Sequence, residues 1–169
     1  MYFEKAIQEH KKGDLQGALA LYQKAYNSGE NSPILFQNYG ALLRSQGDLD
    51  NSEKVYLRGI KLYPNYLSIK VNLANLYQGS KPTKSIQLYN DVINVKLENQ
   101  SLDPEFYSAL VSIISTLRES GYVHSSTNLL RKYLIVLGPV PSLLIQLIQS
   151  FSHLLMYLEQ LYFFLQKNL

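Results

Sequence analysis

An all-α chain of stacked helix hairpins is predicted by three features of the sequence. Gly-Asp-Leu occurs at Gly13 and again at Gly47, 34 positions on. Tyrosines keep the same beat, with Tyr22 and Tyr56 34 apart and Tyr89 a further 33. Between these marks apolar residues recur with helical spacing, interrupted at Gly, Pro and Asn clusters. A fixed period of this length signals a repeat whose units bury their apolar faces against one another.

Composition allows such a core. The 169 residues are 46% hydrophobic and 17% charged, enough apolar surface to offset the entropy of ordering. Net charge is +3 with Lys and Arg spread along the chain, which argues against a dedicated nucleic-acid surface. There is no cysteine, so disulfides and thiolate metal sites are excluded and an intracellular, cytoplasmic setting is expected. The opening "MYFEKAIQEHKKG" carries Glu4, Glu9 and several lysines where an export signal needs an apolar run.

The first hairpin covers about residues 1–32. Gly13 ends its first helix with a positive φ, and Asp14 caps its second. The second hairpin, 33–66, places Tyr39, Gly40 and Leu43 on one helix, turns at Gly47 and Asp48, and carries Ser52 and Tyr56 before closing at Pro64. In the third, 67–98, Leu73, Ala74 and Tyr77 take the places of Tyr39, Gly40 and Leu43, and Ser85 and Tyr89 follow. Its turn, "GSKPTKS", replaces Gly-Asp and is one residue short. A degenerate fourth, 103–137, follows an insertion of about seven residues; Asp103 and Pro104 start its first helix. Ile114 stands there at the Gly/Ala position and Leu130 at the tyrosine position. Small residues (Gly40, Ala74, Ala18, Ser52, Ser85) mark where helix backbones approach closely. Tyr22, Tyr39, Tyr56, Tyr77 and Tyr89 belong to the core.

Residues 138–169 differ in character. Leu144, Phe151, Leu158 and Leu165 recur every seven positions on a long helix opened by Pro141. A capping helix over the last hairpin accounts for that stripe. It leaves over Met156, Tyr157, Phe163 and Phe164, which read as an interface with a second copy of the chain, a partner or a further domain. A membrane span fits poorly, because Gly138, Pro139 and Pro141 break it and Gln146, Gln149 and His153 would lie in the bilayer.

The segment "FQNYGALLRSQGDLDNSEKVYLRGIKLYPN" resembles the tetratricopeptide repeat in its aromatic, Tyr-Gly, small-residue, aromatic and final proline positions. The resemblance extends over 1–137 and implies a right-handed helical-hairpin solenoid of three to four units. Pentatricopeptide repeats, which read RNA, are the near alternative, and the Gly/Ala and terminal Pro positions favour the first. The resemblance implies an inner surface lined by the first helix of each pair: Gln37, Asn38, Ala41 and Arg44, then Val71, Asn72, Asn75 and Gln78. Asn38 and Asn72 occupy one slot on successive helices. An amide offers donor and acceptor to the N–H and C=O of an extended peptide. A similar asparagine ladder occurs in the repeats of the nucleocytoplasmic N-acetylglucosamine transferases. The same residues also suit a merely solvated inner face. Phe3 and Gln37 stand where chaperone-binding members carry a clamp lysine, which disfavours chaperone-tail recognition.

No catalytic constellation is visible. His10, His124 and His153 lie in separate segments without metal-ligand spacing, and no phosphate loop, His-Glu-x-x-His or nucleophile elbow occurs. Asp103 and Glu105 read as helix-start acids, and Ser125 and Ser126 as capping or packing residues. No cofactor or metal is expected. The reading is a non-catalytic scaffold for a protein or extended peptide, with Gln37, Asn38, Arg44, Asn72, Asn75 and Gln78 as contacts. The alternative is the accessory arm of a larger bacterial glycosyl-, methyl- or sulfotransferase whose catalytic part lies beyond Leu169.

Overall fold

A computed structural model describes residues 1–137, and these form helices joined by short turns with no strand among them. In chain order they are α1 (Tyr2–Lys12), α2 (Leu15–Asn27), α3 (Pro33–Ser45), α4 (Leu49–Leu62), α5 (Leu67–Tyr77), α6 (Pro82–Glu98), α7 (Pro104–Glu119) and α8 (Val123–Leu137). The helix predicted over 138–169, with its interface residues Met156, Tyr157, Phe163 and Phe164, lies outside the described residues. Two compact units divide the chain, Met1–Leu88 and the part from Tyr89 on.

The two Gly-Asp turns are built alike. Gly13 and Gly47 adopt φ of 85° and 82°, which a side chain would oppose, and so end α1 and α3. The next N–H reaches back to close each helix: Asp14 N to the Glu9 carbonyl and Asp48 N to the Leu43 carbonyl, both 3.0 Å. The Asp carboxylates then cap the following helix, Asp14 accepting from Gly17 N at 2.9 Å and Asp48 from Asn51 N at 3.3 Å. Asp103 does the same for α7, accepting from Phe106 N at 3.0 Å.

Small residues sit at the close approaches, as the register requires. A Cβ on Gly40 would stand 2.7 Å from the Tyr56 ring carbons Cδ1 and Cζ. Ser52 Oγ donates to the Gly40 carbonyl at 2.8 Å, Ser85 to Ala74 at 2.8 Å and Ser126 to Ile114 at 3.0 Å. One hydroxyl–carbonyl staple thus recurs in three hairpins. Tyr22, Tyr39, Tyr56, Tyr77 and Tyr89 are all buried. In the first unit, Tyr22, Tyr39, Tyr26, Phe36 and Tyr63 form a continuous chain of ring contacts with centroids 5.6–6.2 Å apart, the range in which tilted and edge-on rings attract.

Charged pins hold the irregular joints. Glu53 of α4 accepts from Lys81 Nζ at 2.8 Å and from the Tyr77 hydroxyl at 2.6 Å, fixing the shortened α5–α6 turn. Lys96 of α6 meets Asp103 at 2.6 Å and Glu105 at 2.8 Å across the insertion before α7. Glu30 accepts from the backbone N–H groups of Tyr2 and Phe3 at 2.9 and 3.1 Å, capping an α1 whose own first residue has no side-chain cap.

Candidate functional site

Gln37, Asn38, Ala41 and Arg44 recur along α3 with helical spacing, and Val71, Asn72 and Asn75 hold the same register on α5, with Gln78 at its C-cap. All eight are half-buried, while Leu35, Phe36, Tyr39, Gly40, Leu42 and Leu43 of α3 and Ile69, Leu73, Ala74 and Tyr77 of α5 are buried. The two helices pack on one another. Polar groups are therefore presented beside a rigid apolar layer. Neither helix contains an Asp or Glu, and Arg44 is the one Arg or Lys of α3.

Two predicted contact residues have internal tasks. Asn38 Nδ2 donates to the Tyr22 hydroxyl at 3.4 Å, and His10 Nδ1 lies 3.2 Å from the same oxygen. Tyr22 thereby joins α2 to α1 and α3. Burial pushes its phenol pKa up, and the Asn38 hydrogen bond opposes that. Gln37 Oε1 accepts from the Tyr66 hydroxyl at 2.9 Å, tying α3 to the start of α5. By contrast, Asn72 makes no side-chain hydrogen bond among the described residues, and Arg44 makes neither a side-chain hydrogen bond nor an ion pair there.

Sequence reasoning assigned the tyrosines wholly to the core and so missed their hydroxyl ends. The available signal was the choice of tyrosine over phenylalanine at a packing position, since a buried hydroxyl needs a partner. Tyr22 has two. Tyr56, one repeat on, has none: its hydroxyl is buried without a hydrogen bond among the described residues. Its pKa is raised to about 12, chiefly by burial, with the charge of Arg44 and the nearby Ser52 hydroxyl opposing. The Ser52 proton is committed to the Gly40 carbonyl, so Ser52 can meet the Tyr56 hydroxyl only as an acceptor.

The other chemistry-bearing groups are structural. Lys81 and the Tyr77 hydroxyl hold the Glu53 carboxyl below its ordinary value. Burial first, then Glu53, pushes the Tyr77 phenol up to about 12. Asp103 and Glu105 share Lys96. Ser126 is a packing residue and Ser125 is exposed. His124 is exposed on α8, and His153 lies outside the described residues. Among the described residues no group of three His, Asp or Glu is placed to hold a metal, and no helix is long and apolar enough to cross a membrane.

No family model matches the sequence, and comparison with curated proteins gave no match. Solved structures do match the fold. The nearly identical TPR-like repeats of a protein assigned as a kinesin light chain from Podosopora anserina align with TM-score 0.72 and 15% identity over 89% of this chain and 84% of that one. MamA of strain AMB-1 gives 0.68 and 16% over 99% and 88%. A tetratricopeptide repeat protein from Parabacteroides merdae ATCC 43184 gives 0.69 and 20% over 94% and 66%. At these identities the likeness establishes the fold: all-α, of the tetratricopeptide-like repeat type.

Proposed function

From this tetratricopeptide-like fold we propose that the chain is a non-catalytic scaffold, binding an extended segment of a protein partner along the face shared by α3 and α5. The observation that carries the reading is the pair Asn38 and Asn72. They are half-buried amides at one register position on two packed helices, and the side chain of the second makes no hydrogen bond among the described residues. Such an amide can meet both the N–H and the C=O of an extended backbone. Gln37, Asn75 and Gln78 extend the amide surface along the same helices, and Arg44 adds a positive charge. The buried aromatic layer beneath fixes the helices in place, so little ordering cost falls on the scaffold.

The test is selection of peptides from a random displayed library against the whole chain, followed by affinity measurement on variants. Asn72→Ala should weaken the selected peptides roughly tenfold, the worth of one or two amide hydrogen bonds, with the melting temperature unchanged. Asn38→Ala should weaken them similarly and lower stability by less than about 1 kcal/mol, since it also releases the long bond to Tyr22. Peptides that bind both variants as tightly as the parent chain would dispose of the reading.

A further inference from the structure

We propose that His10 sets, through the hydroxyl of Tyr22, which end of the Asn38 amide is turned to a bound segment. His10 and Tyr22 are then positioning residues, and one slot of the α3 face changes from acceptor to donor as His10 takes up a proton. This rests on the peptide-binding reading above and deepens it, because it fixes which backbone group of the partner that slot takes.

The geometry is a relay of side chains from three helices. Tyr22 of α2 is fully buried. Its hydroxyl accepts from Asn38 Nδ2 of α3 at 3.4 Å and lies 3.2 Å from Nδ1 of His10 on α1. The His10 ring stands edge-on to the Tyr22 ring, with centroids 5.9 Å apart, and Tyr39 stacks on Tyr22 at 6.2 Å. Such ring contacts hold the phenol in place. The hydroxyl can turn about its C–O bond, but it stays between the imidazole and the amide.

Counting protons gives the rest. A phenol has one proton to donate and can accept from two donors, whereas an imidazole nitrogen accepts when bare and donates when protonated. Because Asn38 Nδ2 donates to the Tyr22 oxygen, the hydroxyl proton goes to a bare His10 Nδ1, and the neutral ring carries its proton on Nε2. Asn38 Oδ1, which has no hydrogen-bond partner among the described residues, is the end left for a ligand. Protonated His10 instead donates from Nδ1 to the Tyr22 oxygen. The hydroxyl proton then needs another acceptor, since a buried donor left unmatched is costly. Within the relay that acceptor is Oδ1 of the same amide. Half a turn of the Asn38 amide brings Oδ1 to the hydroxyl and faces the NH₂ outward. Burial pushes the Tyr22 phenol pKa up, with the Asn38 bond opposing, so the hydroxyl changes direction without ionising.

No charged neighbour pre-empts His10. On α1 it is flanked by Glu9, Lys11 and Lys12, and Glu9 is held by Lys12 at 2.8 Å. From α2, packed against α1, come Lys24 and the Tyr26 phenol; Asp14 caps that helix, and α3 adds Arg44. None of these is ion-paired or hydrogen-bonded to the His10 ring among the described residues. Histidine is the side chain whose charge ordinarily changes between about pH 5 and 8. One repeat on, Arg44 and Asn72 stand 34 positions from His10 and Asn38. A guanidinium keeps its charge and never accepts, so that register position carries no such switch.

The test is NMR on the whole chain without ligand, from about pH 8 to about pH 5, following the His10 ring and the side-chain amides of Asn38 and Asn72. At the upper end the Asn38 NH₂ protons should show NOEs to the Tyr22 ring. These should vanish at the lower end, and the Asn38 amide nitrogen shift should move with the His10 midpoint while that of Asn72 stays still. Tyr22→Phe should leave His10 titrating and uncouple Asn38, and His10→Gln should make Asn38 insensitive to pH. A tyrosine that only fills the core would give no such link. An Asn38 amide that keeps its NH₂ on Tyr22 at both ends overturns the relay. So does a His10 that does not titrate in this range, or an inversion that persists in Tyr22→Phe. All three are read without ligand and leave the groove reading standing.

Peptides selected from the library at the upper pH then test the other half. One whose backbone N–H meets Asn38 should lose affinity roughly five- to tenfold toward the lower pH, and Tyr22→Phe should remove that loss. Because it prefers the neutral ring, the same peptide should lower the His10 midpoint on binding. An amide that inverts while every selected peptide binds equally at both pH values would overturn Asn38 as a contact and keep the relay.

Discussion

In the α3–α4 hairpin the close approach is made by Gly40 and Tyr56, whereas in α7–α8 the same two register positions hold Ile114 and Leu130. All four are buried. Both hairpins keep the hydroxyl staple, Ser52 to the Gly40 carbonyl at 2.8 Å and Ser126 to the Ile114 carbonyl at 3.0 Å. The difference teaches that the approach does not require a glycine. It requires a constant total: glycine with tyrosine and isoleucine with leucine carry the same number of side-chain heavy atoms, divided differently between the two helices. The first hairpin departs from that total by one methyl, with Ala6 opposite Tyr22 in register and both fully buried.

The largest expected effect comes from breaking that total. Gly40→Leu places a side chain where the Tyr56 ring already lies, and overpacking of this kind should cost about 3 kcal/mol in urea unfolding. Tyr56→Leu alone leaves a void and should cost about 2 kcal/mol. The sharper test transplants the fourth hairpin's solution. Gly40→Ile combined with Tyr56→Leu should be less destabilising than the sum of the single changes by about 1–3 kcal/mol. Strict additivity would show that the two positions do not trade volume.

Removing the staple should have a smaller effect, and an equal one in both hairpins. Ser52→Ala and Ser126→Ala each delete one buried hydrogen bond, whose acceptor is a helix carbonyl, and should each cost about 1 kcal/mol by thermal or urea unfolding. A loss confined to Ser52 would mean that the degenerate hairpin is held by its larger apolar residues alone. Unequal losses would also argue against reading the two as copies of one contact.

Much of this frame was legible in the sequence because it is periodic. Gly13 with Asp14, Gly47 with Asp48, the serine positions and the buried tyrosines all announce themselves by spacing, and each spacing maps onto a helix face or a turn. The parts that were not legible lack a period. Glu30 caps a helix from 27 or 28 residues away, and Glu53 pins a turn 28 residues on. Nothing local distinguishes these carboxylates from solvated ones. The candidate site was half legible for a related reason. Register places Gln37, Asn38, Arg44, Asn72, Asn75 and Gln78 on their helices, but which are committed internally depends on where tyrosine hydroxyls end. Tyr22 and Tyr66 claim Asn38 and Gln37; the Tyr56 hydroxyl claims no partner among the described residues.

The smallest effect separates the two hairpins by how their helices begin. Asp48 caps α4 through Asn51, its N–H at 3.3 Å and its side-chain amide at 2.8 Å. Asp103 caps α7 while also bonded to Lys96 at 2.6 Å and Ser101 at 3.0 Å. Lys96 and the Phe106 N–H hold its carboxyl down to about 2, below the ordinary 3.8. A folded-state pKa below the unfolded one means that stability is present above the unfolded value and is lost as pH falls toward the folded one. Protection of the α7 amides from hydrogen exchange should therefore weaken between about pH 4 and pH 2, and Asp103→Asn should flatten that dependence. The side chain is 37% exposed, so solvent screens the pair and the amplitude should be modest. An α7 that loses protection over this range equally in the Asp103→Asn variant would assign the acid sensitivity to other carboxylates, leaving Asp103 as a cap no different in kind from Asp48.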